Sequence, residues 1–340
     1  MNNSKPTLSV IMPNYNHSKF IKQALDALVK QTLSPKEIII IDDASTDNSL
    51  EIISEFEEKY PYIKLYKNDH NQGVVFTLNR GLTLSTGDYV LFTAADDVLF
   101  PDFNKKTMDQ FSLHPKAGLC SARTRIINSD GIDVGPHKSI CVKQSANYIT
   151  PFEADKIFTN IGNWIQSNTT VYRRDYLSNE GGFPDELKSY ADSYINIIIA
   201  LKYGACFIPE YLGCWRRLLT SFSQQNSMNS ESYYRIIEDT KEFLHSKNTT
   251  LITEGFINSW EKQMICQFLI DSMEGSVHKC QSLIEKLVNK EKSAYKRLVL
   301  LLAMRAIKIS EIFLKIMWVL LLKPRYFIYY LKRIFVKEVA

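Results

Sequence analysis

The chain has 340 residues, 45% of them apolar and 12% aromatic, with a formal net charge of +4. That composition provides a core and excludes a globally disordered chain, and the length suits one large domain or two ordinary ones. Six cysteines (Cys120, Cys141, Cys206, Cys214, Cys266, Cys280) lie scattered with no C-x-x-C pair and the histidines do not cluster, so reduced, packed thiols are expected rather than a disulfide framework or a zinc site.

The opening "MNNSKPTLSV" carries no basic segment followed by an apolar one, so no secretory signal is expected and the catalytic part is expected to face the cytoplasm. From Leu8 to about Ile126, β-rich and helical runs alternate. Continuous apolar stretches at 8–13, 37–42, 62–66 and 88–93 suit strands buried on both faces. Helical periodicity fills 20–30, 49–60, 74–84 and 102–113. Asn48 with Glu51 predicts a capping box for the second helix, with Asp47 as the competing cap. The alternation predicts an α/β domain with a mostly parallel sheet and helices on both faces. Ligands bind such sheets beyond the carboxyl ends of the strands. Polar residues gather there: "PNYN" (13–16), "DDASTD" (42–47) and "AADD" (94–97). Neither G-x-G-x-x-G nor G-x-x-x-x-G-K-[ST] occurs, which argues against a dinucleotide dehydrogenase and a P-loop nucleotidase.

From 115 to 225 the pattern is mixed, with glycine-rich turns, strand-like pieces and a helical run from Ser189 to Tyr203; beyond about Gln225 it becomes helical. Between Lys292 and Lys337 eleven Lys/Arg face a single acid, Glu311, which leaves 30 basic against 36 acidic residues elsewhere. Residues 297–322 read as one apolar helix whose charges share one sector. Those charges argue against a membrane-spanning helix and favour one lying on an anionic membrane surface. The alternative is packing on the protein's own core or on a second copy in a homo-oligomer. Nucleic acid is not expected, since the aliphatic face is too large for a phosphate-binding surface. Three segments are expected: 1–225, a helical extension 226–290, and membrane-associating helices 291–340.

Asp96 and Asp97, adjacent at a strand's end, have two readings: a shared divalent cation that also grips a diphosphate, or acids near the start of the next helix. The ordered set "SVIMPNYNHSKFI", "IIIIDDASTDNS" and "NQGVVFTLNRGLTLSTGDYVLFTAADD" resembles the family-2 glycosyltransferases of GT-A fold, over roughly residues 8–225. The resemblance implies transfer of a sugar from a nucleoside-diphosphate donor with inversion, assisted by Mn2+ or Mg2+. It places Pro13, Asn14 and Tyr15 at the base and ribose pocket and Asp43 at the uracil edge, with capping of the turn as the other role for Asp42 and Asp43. It puts Asn79 and Arg80 among the donor contacts, Arg80 being equally readable as a helix-surface charge. The family's D-x-D-D motif reads Ala94-Ala95-Asp96-Asp97 here, so the first acid is absent. This leaves open which of Asp96 and Asp97 ligates metal and which holds ribose.

After "GGFPDEL" the family carries an acidic pair opening a helix; here Ala191-Asp192 stands there, and Asp192 is the expected base, with a helix N-cap as its second role. Asp185 and Glu186 are weaker candidates. In "CWRRLLTSFS", Arg216 or Arg217 is expected on the diphosphate. Trp215 and Trp164 are expected either to stack on a sugar or to fill the core. Together these predict an inverting, metal-dependent hexosyl or N-acetylhexosaminyl transferase. It would use a UDP-sugar, act on a polyprenyl-diphosphate-linked glycan, and sit peripherally at the cytoplasmic face of the plasma membrane in surface-polysaccharide assembly. The alternatives are a catalytically inactive nucleotide-sugar-binding membrane scaffold, motivated by Ala94 and Ala191, and a sugar nucleotidyltransferase.

Overall fold

A computed structural model describes residues 6–137, 139–218, 230–246 and 252–273. The basic stretch 291–340, with the expected membrane-surface helix, lies outside the described residues. Four parallel strands form one half of a ten-stranded sheet: β1 (Leu8–Asn14), β2 (Glu37–Asp42), β3 (Ile63–Lys67) and β4 (Tyr89–Phe92), ordered β3-β2-β1-β4. They coincide with the four apolar runs, and alternation within them decides which helix each face receives. Val10, Met12, Ile38 and Ile40 share a core with Ile21 and Leu25 of α1 (Ile21–Val29) and Ile53 of α2 (Ser49–Lys59). Ile11 and Ile41 turn to the other face, under α3 (Val74–Leu84). There Gly81 is required by contact, since a Cβ would stand 2.3 Å from Ile11 Cγ2.

Beyond β4 the sheet becomes mixed. β4 is followed in sequence by β5 (Val98–Leu99), α4 (Phe103–Leu113), β6 (Leu119–Ile127), β7 (Asp133–Pro136), β8 (Asn147–Ile149) and α5 (Pro151–Asn160). Then come β9 (Thr170–Arg173), α6 (Arg174–Asn179), α7 (Ala191–Tyr203) and β10 (Ala205–Arg216). The order continues β4-β9-β6-β10-β5, with β9 antiparallel to both neighbours and β10 parallel to β6. The result is the expected α/β architecture with a mostly parallel sheet, carrying antiparallel strands the periodicity did not announce. β5 is one: Val98 and Leu99 pair antiparallel with Cys214 and Gly213.

The chain forms two compact units, one running up to Ala154 plus Asn163–Leu218, the other containing Asp155–Gly162. The second also contains α8 (Ser230–Ser246) and α9 (Glu254–Met273). Within it Ile237, Leu244, Phe256 and Trp260 are buried, and Lys241 pairs with Glu261 at 3.0 Å. Among the described residues, no helix is long and apolar enough to cross a membrane. The described cysteine side chains, Cys120, Cys141, Cys206 and Cys214, are free thiols, all but Cys141 buried.

Candidate active site

β1 and β2 each end in a carboxylate or amide that its neighbours hold, and β3 is followed directly by one, Asn68. At the ends of β1 and β2, Asn14 donates to Asp42 Oδ1 at 2.7 Å, and Asp42 also accepts from Ser45 N–H at 2.9 Å and Ser45 Oγ–H at 2.6 Å. Asp42 is thereby the cap of a turn in which Ala44 takes φ +63°. The next turn is capped by Asp47 rather than by Asn48, whose side chain makes no capping bond. Partial burial pushes the Asp47 carboxyl up, but donors from Ser49 and Ser18 outweigh it and bring it to about 2. Helix capping at Asn48 is replaced by Asp47, one residue earlier, which accepts from the first N–H of the helix, that of Ser49.

Asp43 is buried and organises the loop after β3. It accepts from Asn68 Nδ2 at 2.6 Å, Gln72 N–H at 2.8 Å and Gly73 N–H at 2.9 Å. Gly73 stands at φ +88° where α3 begins, so the carboxylate also sits at a helix N-terminus. Asn68 in turn accepts from Arg80, which also donates to Lys67 O at 2.8 Å. Arg80 is thus tied into the strand-end network and is more than a surface charge. Asn68 was not picked out from the sequence, although it directly follows β3 as Asp43 directly follows β2. Asn79 pins the Phe183 backbone, donating to its O and accepting from its N–H, both at 2.8 Å. Pro13 is half-buried, and Tyr15, 44% exposed, presents the open aromatic ring of this loop.

Asp96 and Asp97 lie between β4 and β5, and the next helix, α4, starts at Phe103 with Asp102 at its N-cap. That separation removes the helix-start reading of the pair. Burial pushes both carboxyls up; for Asp97 the shift is large and the Asp96 charge adds to it. Asp97 Oδ1 accepts from Arg216 N–H at 2.9 Å. Among the described residues no other residue donates a hydrogen bond to the Asp96 carboxylate; His17 and Arg216 face it electrostatically. His17, with a buried Nδ1 lacking a partner among the described residues, is a second residue that sequence reading left aside. No group of three His, Cys, Asp or Glu in a metal-holding arrangement occurs among the described residues. The donor set is nonetheless suited to a divalent cation: two adjacent hard oxygen ligands, one of them open, whose charges repel each other and are only partly offset by Arg216.

The arginines separate. Arg216 is 1% exposed and donates to Asp96 O at 2.8 Å, Asn128 O at 2.9 Å and Gln23 Oε1 at 2.6 Å, with its guanidinium over the Phe20 ring. Its donors are committed to the protein, so it clamps the Asp96–Asp97 turn, and the expectation that it grips a phosphate does not fit this geometry. Arg217 is exposed, and among the described residues it engages only its backbone N–H, to Ile127 O at 2.9 Å. Trp164 is fully buried with its ring edge-on to Phe207, a core residue rather than a sugar platform. Trp215 is half-buried, edge-on to His137.

Asp192 lies in the first turn of α7, past its N-cap at Tyr190, and accepts from Ser193 N–H at 2.6 Å. Burial pushes its carboxyl up, and a hydrogen bond from Ser167 partly opposes this. Asp185, Glu186 and Lys188 on the preceding turn are exposed.

Comparison with known proteins places the chain in a family and matches its fold. The sequence model described as Glycosyl transferase family 2 matches residues 9–180. The uncharacterized glycosyltransferase YibD of Escherichia coli is 42% identical over 108 residues, covering 32% of this chain and 31% of that protein, so the chain spans about a third of that relative's length. Among solved structures, S. aureus TarS 1-349 in complex with UDP-GlcNAc superposes with a TM-score of 0.61 at 19% identity, covering 94% of this chain and 88% of that one. A mannosyltransferase from Pyrobaculum calidifontis, in complex with GDP-Man and Mn2+, gives 0.55 at 17% identity, covering 94% and 86%.

Proposed function

Because the chain belongs to glycosyl transferase family 2, whose model covers residues 9–180, we propose that it transfers a sugar, with inversion, from a UDP-sugar to an acceptor hydroxyl. The observation that carries the reading is the buried Asp96–Asp97 pair, pushed up by desolvation, with Asp96 open, past the carboxyl end of β4, as Asp43 lies just past the carboxyl end of β2. Asp96 and the second oxygen of Asp97 would hold Mn2+ or Mg2+. That ion would supply positive charge against the diphosphate leaving group. UDP is favoured by the UDP-GlcNAc in TarS, and a divalent ion by the Mn2+ in the archaeal neighbour.

The chain's own residues do the rest. Tyr15 offers a face for the base, while Asp43 fixes the 68–73 loop and keeps a lone pair for an imide N–H. Arg217, open to solvent, is the cation proposed for the diphosphate, since Arg216 is committed to the protein. Asp192 accepts the acceptor's proton as the new bond forms, and a carboxyl raised by burial is closer to the operating pH than a free one. The acceptor is proposed to be a lipid-linked glycan at the cytoplasmic membrane face, supported by the basic segment from Lys292 to Lys337.

A thermal-shift screen of UDP, GDP and their sugars with Mn2+ tests the donor. Stabilisation by UDP and a UDP-sugar is expected, and stabilisation by GDP alone overturns the assignment.

A further inference from the structure

A cation without an acid stands on the α7 side of the sheet. Arg123 on β6 is half-buried, and its Nε–H is buried with no hydrogen-bond partner among the described residues. Its guanidinium carbon lies 4.1 Å from the centre of the Tyr211 ring, and that of Arg125 lies 5.4 Å from the same ring. The acids nearby do not neutralise the pair. Asp133 on β7 takes the Nε–H of Arg125, and Glu210, next to Tyr211 in sequence, is bonded to Lys106 of α4 at 2.5 Å. A buried donor with no acceptor is unfavourable, and an oxyanion would satisfy it.

The strands are built to hold this arrangement. Tyr211 is the register partner of Arg123, and the β6–β10 pairing shifts on both sides of it, between Ile208 and Tyr211 and between Tyr211 and Gly213. Such irregularities re-aim side chains, and here they set the ring beneath the guanidinium. A guanidinium stacked on a ring keeps its N–H edge free for the oxygens of an anion. Its place in the site follows from strand alternation. Ser121, two residues before Arg123, lies on the same face of β6. Ser121 Oγ accepts from Gln166 N–H at 3.1 Å, and the adjacent Ser167 Oγ accepts from Asn196 Nδ2 at 3.0 Å, one helical turn beyond Asp192 on α7. Arg123 therefore lies roughly 7 Å further towards the carboxyl edge, on the face that receives the helix of Asp192. Arg216, which holds the Asp96–Asp97 turn, reaches instead to Gln23 of α1 at 2.6 Å.

We propose that Arg123, stacked on Tyr211 and flanked by Arg125, binds a phosphate group carried by the acceptor, on the α7 side of the site. This rests on the reading of the chain as a transferase with Asp192 as its base, and adds the chemistry of the acceptor: a phosphate-linked glycan rather than a neutral one. The donor's diphosphate carries the same oxyanion chemistry, and the test separates the two sources.

The test uses the full chain and inorganic phosphate as the probe, at constant ionic strength set with chloride so that general screening cancels. Phosphate affinity is measured by thermal shift, alone and with saturating UDP and Mg2+, in wild type, Arg123→Gln and Arg123→Lys. Wild type should be stabilised by phosphate equally with and without UDP and Mg2+. Arg123→Gln should bind phosphate about tenfold more weakly, the size of one lost charge-assisted hydrogen bond. Arg123→Lys keeps the charge without the planar fork and should recover part of that loss. Both variants should bind UDP–Mg2+ as wild type does. Because Arg123 holds the protein only through the Tyr211 ring, Arg123→Gln should lower Tm by only about 2 °C. Phosphate stabilisation of Arg123→Gln equal to that of wild type overturns the site. Loss of the phosphate effect on adding UDP and Mg2+, with weaker UDP binding by Arg123→Gln, overturns the acceptor assignment and gives the oxyanion to the donor. Absence of any stabilisation of wild type by UDP sinks the transferase reading instead, and leaves the phosphate site standing.

Discussion

Arg216 gives the sharpest separation between a structural and a ligand-binding role. Arg216→Met removes a guanidinium that is 1% exposed and donates to Asp96 O, Asn128 O, Ser129 O and Gln23 Oε1 at 2.8, 2.9, 3.3 and 2.6 Å. The backbone bond from residue 216 to Asp97 survives. Each charged-donor bond is worth about 1.5–3 kcal/mol, but the hairpin carbonyls can turn to water, so the contributions do not add. The expected loss is about 3–5 kcal/mol, as for removing one partner of a buried charge. Removing the positive charge also pushes the Asp96 and Asp97 carboxyls further up, since both are held down partly by Arg216. Arg216→Lys keeps the charge but cannot span all four acceptors, and should lose about half as much. Urea unfolding measures both variants, with UDP–Mn2+ titration beside it. If Arg216→Met unfolds like wild type yet no longer binds UDP, the guanidinium is a diphosphate ligand and the clamp is refuted.

Gly81→Ala should destabilise by about 1–3 kcal/mol, measured by chemical denaturation, because its Cβ would stand 2.3 Å from Ile11 Cγ2. Asp43→Ala leaves Asn68 and the N–H groups of Gln72 and Gly73 without their acceptor. It should raise amide exchange across 68–73 and cost about 2–3 kcal/mol. Asp47→Ala should cost about 1 kcal/mol at neutral pH. Its carboxyl is depressed to about 2 from 3.8, so this contribution is complete above 3.8 and fades as pH falls through 2; melts at pH 7 and pH 2 should show the gap closing.

The parallel half of the sheet was legible because its strands are buried on both faces and read as unbroken apolar runs: Ile38 to Ile41 are all at most 1% exposed. The site was legible to the same extent, since polar residues at the ends of such strands have no role in the core. Asn68 obeys that rule and could have been found by it. β5 was not legible, because two residues, Val98 and Leu99, become a strand only when Gly213 and Cys214 arrive from over a hundred residues away. Arg216 beside acids reads equally as ligand or clamp until its acceptors are known, and three of the four are main-chain carbonyls with no sequence signature.

Turnover by Asp192→Asn of the donor identified in the thermal-shift screen, measured beside UDP–Mn2+ affinity in the same preparation, tests the central claim most directly. The amide preserves shape but cannot accept the acceptor's proton, so the account predicts a loss of about 10²–10⁴-fold in turnover with affinity for UDP retained. Its pH dependence in the wild type should show a limb above the ordinary carboxylate value of 3.8, rate rising as Asp192 ionises. Turnover by Asp192→Asn at the wild-type rate would contradict the account.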